Sequence, residues 1–335
     1  MSSSVDKSSV SKSLFSSENI VYAGIGWGVL ALLFFLLFSV SAPGQESPSW
    51  YLIGTYVLEL VPFLAAAILC FRNWRSPQIA SGRKVWLGIG IGMICYFIAG
   101  LLFGWWELYW GLNPDVSPAD LFYMAFYIFI GWAMILAVLP RRLNLELWQW
   151  GVIGAIALLA IAFAVWVTIA ASNAEANATT TLVATQQPVP VLAQNQPVSP
   201  PTKPATNTPV IENDINPNVP SWVISTEVFL SQFAQPLNFF YVIGDVFLLI
   251  IASALLLAFW GGRFSQSWRM IAAAAFCLYI ADMGFKYLST LPQEYESGSL
   301  SDVFFVFSGV LFAIGAALEY DVSSRSRRGG RRRAG

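Results

Sequence analysis

Histidine is absent from the 335 residues, charged side chains make up only 11%, and there are three cysteines. Without imidazole, the chain by itself has no His-ligated metal or haem, no Ser-His or Cys-His catalysis and no phosphoaccepting histidine. Any proton chemistry must come from carboxylates, Lys, Cys or Tyr. The scarcity of charge excludes one or two soluble domains, in which about a quarter of residues are charged. Cys70, Cys95 and Cys277 all fall inside apolar segments, so no disulfide framework holds an exported domain together. No cofactor is implied.

What is present is apolar, 56% of the chain. A hydrocarbon core of about 30 Å takes roughly 20 helical residues to cross. Runs of that length lie near 20–42, 50–71, 86–106, 119–139, 148–172, 236–259, 268–290 and 301–320. Such runs in lipid must satisfy their own backbone, which makes them helices. The expected fold is an all-α integral membrane protein with eight transmembrane helices. Lys7 and Lys12 ahead of a run ending Val40-Ser41-Ala42 have the outline of a secretory signal. The core from Ile20 to Phe38 exceeds the roughly 15 residues of a signal core, so the first run reads as a retained span; cleavage would leave seven.

Basic residues mark one side. Arg72, Arg75, Arg83 and Lys84 join spans two and three, Arg141 and Arg142 follow span four, and Arg263 and Arg269 flank the start of span seven. The opposite connections carry Glu46, Glu107, Asp115, Glu294 and Glu296, and of the 18 basic residues only Lys203 lies there. The positive-inside rule then places both termini in the cytoplasm, with the plasma membrane as the expected location.

Sliding the chain on itself by 182 positions superimposes spans three and four on spans seven and eight, and ten of 51 positions coincide. Among them are Trp86 with Trp268, Cys95 with Cys277, Phe103 with Phe285 and Asp120 with Asp302. Tyr51-Leu52-Ile53-Gly54 likewise echoes Tyr241-Val242-Ile243-Gly244. This pattern predicts a four-plus-four duplication, the halves parallel and related by an axis along the membrane normal.

The resulting layout is a cytoplasmic N-terminal tail (1–19), a first membrane region (20–172), an exported loop (173–220), an interfacial helix with spans six to eight (221–321) and a polybasic cytoplasmic tail (322–335). The loop region holds nine of the 18 prolines, with many Thr, Asn and Gln, and is expected to be disordered because it cannot bury a core. After it, Trp222, Thr226, Phe229, Leu230 and Phe233 share a helical face suited to the outer interface. Asn177-Ala178-Thr179 matches a glycosylation acceptor, which has meaning only in a eukaryotic secretory route. Arg325, Arg327, Arg328 and Arg331 to Arg333 suit anionic lipid headgroups. No nucleic acid is expected as a partner.

Glu59, Asp120, Asp245, Asp282, Lys286 and Asp302 lie within or at the edge of spans. A charge exposed at bilayer depth costs at least about 2.5 kcal/mol, so these side chains should face the bundle interior, a wet cavity or one another. Asp282 and Lys286 are one turn apart and are expected to pair. Glu59 and Asp245 each lie nine residues after the outer start of their helices, at Trp50 and Pro236, about 13 Å deep. Together these residues form a candidate ligand or ion site open to the outer side. Asp120 and Asp302 also suit a structural role, since a first-turn carboxylate meets the positive end of the helix dipole. The glycines Gly24, Gly28, Gly88, Gly90, Gly92, Gly100 and Gly104 read as close-packing positions. Trp105, Trp106, Tyr109 and Trp110 read as an aromatic belt at headgroup level.

Ser117-Pro118-Ala119-Asp120-Leu121-Phe122-Tyr123 with Phe126-Tyr127, and Tyr241-Val242-Ile243-Gly244-Asp245, resemble stretches of the multi-span regions that precede diguanylate cyclase and other output modules in bacterial signalling proteins. The resemblance implies a membrane sensing or docking region. After Tyr320 only an arginine-rich tail follows, so signalling output would come from a partner. Asp282-Met283-Gly284-Phe285-Lys286 also resembles the Asp-x-x-x-Lys of the last helix of microbial rhodopsins, but here another span follows and the charged third-helix pattern is missing. The expected function is non-enzymatic: a sensor, scaffold or assembly factor with a membrane protein partner. The alternative is a cation- or proton-coupled transporter.

Overall fold

The computed structural model describes residues 16–40, 47–112, 116–139, 145–185, 219–259, 265–288 and 297–333. Residues 1–15, with Lys7 and Lys12, lie outside them, as do loop residues 186–218, with Lys203. So do Glu46, Asp115, Arg141, Arg142, Arg263, Glu294 and Glu296, and the side chains of Asn177, Arg327, Arg328 and Arg331 to Arg333. Among the described residues the protein is all helix: α1 (Ser17–Phe38), α2 (Ser49–Arg75), α3 (Arg83–Trp110), α4 (Asp120–Val138), α5 (Leu147–Thr185), α6 (Ser221–Ser231), α7 (Ala234–Ala258), α8 (Ser265–Leu288) and α9 (Val303–Arg333), the last entered through a 3₁₀ turn at Leu300–Asp302. All but α6 are long and apolar enough to cross a membrane, eight in number. This is a multi-pass membrane protein.

Local chemistry sets the helix ends. The Ser16 hydroxyl accepts the Asn19 N–H at 3.3 Å at the start of α1, satisfying a first-turn donor. Gly111 closes α3 in the left-handed region at φ 68°, where its N–H reaches the Glu107 carbonyl at 3.0 Å, a conformation that favours glycine. Arg72 and Arg75 occupy the last turn of α2, where cations meet the negative end of the dipole.

Six helices form a closed ring in the order α2, α3, α4, α7, α8, α9, with α9 returning to α2. Outside it, α1 packs on α9 and α2, and α5 packs on α7 and α8. These two bury least, and side chains such as Leu33, Leu37, Leu158 and Leu159 remain outward and exposed, as lipid-facing positions should. Within the ring, the end that carries Arg72, Arg83 and Arg269 is closed. Trp86 of α3 and Trp268 of α8 are both fully buried and meet with ring centroids 6.5 Å apart. Phe259 stacks on Trp268 at 5.0 Å. A polar seam ties the same end. The Trp86 indole donates to Ser81 Oγ at 2.8 Å, which donates to Glu319 Oε1 at 2.6 Å, and Asn73 donates to the Ala316 carbonyl at 2.8 Å.

The packing glycines do what their spacing predicts. A Cβ on Gly88 would stand 2.8 Å from the Ala133 Cβ of α4, and one on Gly100 or Gly104 would meet Leu60 or Tyr56 of α2. Three details differ from expectation. Helix α5 continues to Thr185, past the predicted limit at 172, because Ala174, Ala176 and Ala178 support a helix and the first proline comes only at Pro188. Helix α9 likewise continues through the predicted tail to Arg333. And Trp106 is not a headgroup anchor: it is buried against Val219 and Val223, forming the seat of α6.

Candidate functional site

At the end of the ring away from the tryptophan plug, helices α2, α3, α4, α7 and α8 each send a tyrosine or an acid inward. Inward direction follows from register. Val57 and Val61 of α2 are exposed outward, so Glu59, two residues from each and rotated about 200° around the axis, points into the bundle. Leu121 and Ile128 are exposed in the same way on α4, leaving Tyr123 and Tyr127, one turn apart, on the opposite face.

Each acid meets a hydroxyl. Tyr96 of α3 donates to Glu59 Oε1 at 2.6 Å, its ring held by stacking on Phe63 at 3.7 Å. Tyr127 of α4 lies 2.5 Å from Asp245 Oδ1 of α7 and 2.7 Å from Asp282 Oδ2 of α8. Tyr241 of α7 donates to Asp120 Oδ1 of α4 at 2.6 Å, and Tyr56 of α2 donates to Glu107 of α3. Hydrogen bonds to ionisable partners are the strong class, and they matter more where water is scarce. Asp245 is only 1% exposed, whereas Glu59, Asp120, Asp282, Tyr123 and Lys286 keep accessible surface.

The stretches 117–127 and 241–245 meet here. Gly244 has no Cβ, which at that position would lie 2.8 Å from the Tyr127 ring. Its absence lets Tyr127 reach Asp245, while Tyr241 reaches back to Asp120. Two reciprocal Tyr–Asp bonds therefore join α4 to α7. On the opposite seam, Tyr51 of α2 donates to the Gly298 carbonyl, and the Gly298 N–H donates to Asp302 Oδ2 at 2.9 Å. Gly298 has φ 104°, a region that favours glycine.

The expected site residues divide by geometry. Asp245 and Asp282 share Tyr127 directly. Glu59 lies within electrostatic range of Asp282, Asp302 and Glu107, and the Lys286 charge is felt at Asp245. Asp120 and Asp302 also do local work, with Asp120 Oδ2 accepting the Ser117 N–H at 2.7 Å and Asp302 Oδ1 accepting from Ser299 at 2.9 Å. Among the described residues no group of three or more His, Cys, Asp or Glu side chains is placed to hold a metal ion. The acids are strung along the interior in tyrosine-bound pairs. The sequence does not mark Tyr56 or Tyr96 as site residues, singles out Tyr123, Tyr127 and Tyr241 only as members of the two resembling stretches, and presents Glu107 as a loop charge. Nor does it mark Glu319, fully buried at the other end. One signal was readable: a tyrosine in the middle of a span needs a partner for its hydroxyl, and the acids in neighbouring spans were the available ones.

No family model matches the chain, and neither a curated protein nor a solved structure matches it.

Proposed function

We propose that the protein is a non-enzymatic membrane sensor, scaffold or assembly factor whose acidic recess, open on the non-cytoplasmic side, receives a cationic ligand or a basic group of a partner protein. The observation that carries this reading is the accessible surface kept by Glu59 and Asp282 although register and hydrogen bonds turn both inward. Acids lining an open interior attract positive charge. The side assignment rests on Arg72, Arg75, Arg83, Lys84 and Arg269 clustering at the plugged end. The resemblance of the α4 and α7 stretches to signalling proteins favours a sensing or docking role, with output through a partner and the basic tail held at anionic headgroups.

The four-plus-four duplication belongs to the same proposal. In its support, α2 packs on α9 as α7 packs on α4, whereas the outer helices differ, α1 lying on α9 and α2 and α5 on α7 and α8. The matched residues Trp86 and Trp268 face each other. That arrangement, with acids at the junction of the halves, is also what favours the second reading, a cation- or proton-coupled transporter. Against it, the described spans are continuous helices, α2 running through Pro62 included.

The test is carboxyl labelling of the full-length protein in sealed vesicles, using a membrane-impermeant carbodiimide with a charged amine. Modification of Glu59 and Asp282 from the side opposite the arginine-rich end, reduced by methylammonium, is the expected result. Modification only by a lipid-soluble reagent, or only from the arginine-rich side, overturns the recess. Flux of a cation across the same vesicles would select the transporter.

A further inference from the structure

The Tyr127 hydroxyl has one proton to give, yet it touches two carboxyl oxygens, Asp245 Oδ1 at 2.5 Å and Asp282 Oδ2 at 2.7 Å. When it donates to one, the other can bond to it only by bringing a proton of its own. The two carboxyls thus lie against one hydroxyl and within electrostatic range of each other, where two anions would repel. A second, independent sign is Asp245 Oδ2. It is buried with no donor in reach, on a residue only 1% exposed. As part of an anion that oxygen would be an uncompensated charge away from water; as part of a neutral acid it is not. The proton therefore belongs on Asp245, with Asp245 donating to Tyr127 and Tyr127 donating to the more accessible Asp282.

We propose that Asp245, Tyr127 and Asp282 hold one exchangeable proton between two carboxyls, and that a small monovalent cation or a primary ammonium entering the recess displaces it. This rests on the recess reading above. Charge balance specifies the class of ligand. With the proton in place, the pair carries one negative charge beside the ammonium of Lys286. When it leaves, one positive charge restores the balance. In the exchange the Asp245 O–H bond breaks, its electron pair stays on the carboxylate oxygen, and the proton passes to water in the recess. The other groups facing the pair are Tyr241 of α7 and Tyr279 of α8, with Glu59, Tyr96 and Tyr123 in electrostatic range of Asp282. Helix α5 packs there with Ala160 and Ala164.

Infrared difference spectroscopy on the full-length protein in detergent tests the proton, and an indicator dye in weak buffer tests its release when sodium, potassium or methylammonium chloride is added. The expected result is a carboxylic-acid carbonyl band at neutral pH that disappears in Asp245→Asn and persists in Asp321→Asn at the other end. Release should approach one proton per chain in the native protein and vanish in Asp245→Asn. Tyr127→Phe, checked for folding by gel filtration, should shift the band. Absence of an Asp245-dependent band overturns the proposal, as does a band that no cation diminishes. Cation protection of Glu59 from carbodiimide without proton release overturns the exchange and leaves the recess standing; loss of that protection as well means that the recess reading has failed.

Discussion

Tyr96 carries little charge chemistry of its own, yet its hydroxyl is what lets Glu59 sit inside the ring. Tyr96→Phe leaves that carboxyl without its donor and should destabilise the protein by about 1–3 kcal/mol, read as a lowered unfolding midpoint in detergent. Adding Glu59→Leu should recover most of the loss, since removing both partners of a buried bond costs less than orphaning one. A second residue-scale contrast concerns glycine. Gly88→Ala drives a Cβ to 2.8 Å from Ala133 and 2.9 Å from the Trp132 ring, atoms with little room to yield, and should cost about 1–3 kcal/mol. Gly26→Ala meets nothing within 4 Å and should leave stability unchanged in the same assay. The acids were legible because charge stands out in an apolar run. Their tyrosines were not, since Tyr96 and Tyr127 sit in their runs as ordinary aromatics until a neighbouring helix brings Glu59 or Asp245 to the hydroxyl.

Among the elements, α6 shows how a short helix is held. Val223 is fully buried against Trp106 and Val219, and the half-exposed Trp222 ring sits edge-on to Trp106 at 6.0 Å, whereas Val228 and Phe229 stay exposed. Glu227 lies on this helix, outside the spans, and partial burial raises its carboxyl above the ordinary carboxylate range, with the nearby Trp106 indole working the other way. A raised value in the docked state means that docking is favoured while the carboxyl is neutral. That contribution is complete below the ordinary carboxylate range and is lost as pH rises through the raised value. Amide protection over Ser221–Ser231, after the intrinsic pH dependence of exchange is divided out, should therefore fall across that interval, modestly because the group is partly solvated, and Glu227→Gln should flatten the profile. The existence of α6 could be read from its apolar period. Its seat could not, because Trp106 lies more than a hundred residues away and reads locally as a belt residue.

For the molecule as a whole, the ring depends on the tryptophan plug. Trp268→Ala removes a fully buried ring packed between Trp86 and Phe259 and should cost about 3–5 kcal/mol, measured by reversible denaturation in mixed micelles. If the plug also seals the interior, the variant should admit carbodiimide to Glu59 from the arginine-rich side, whereas the native protein should admit none.

By itself the sequence determined the eight spans, because an unbroken apolar run of about 20 residues crosses a hydrocarbon core by satisfying its backbone within itself, as a helix. It also determined which acids had to turn inward, because an unpaired charge in lipid is too costly to leave outside. What only the tertiary structure decided is which hydroxyl meets which acid and that Asp245 and Asp282 converge on Tyr127. Those pairings join α4, α7 and α8 across more than a hundred residues of chain, and no local period encodes the closure of a ring.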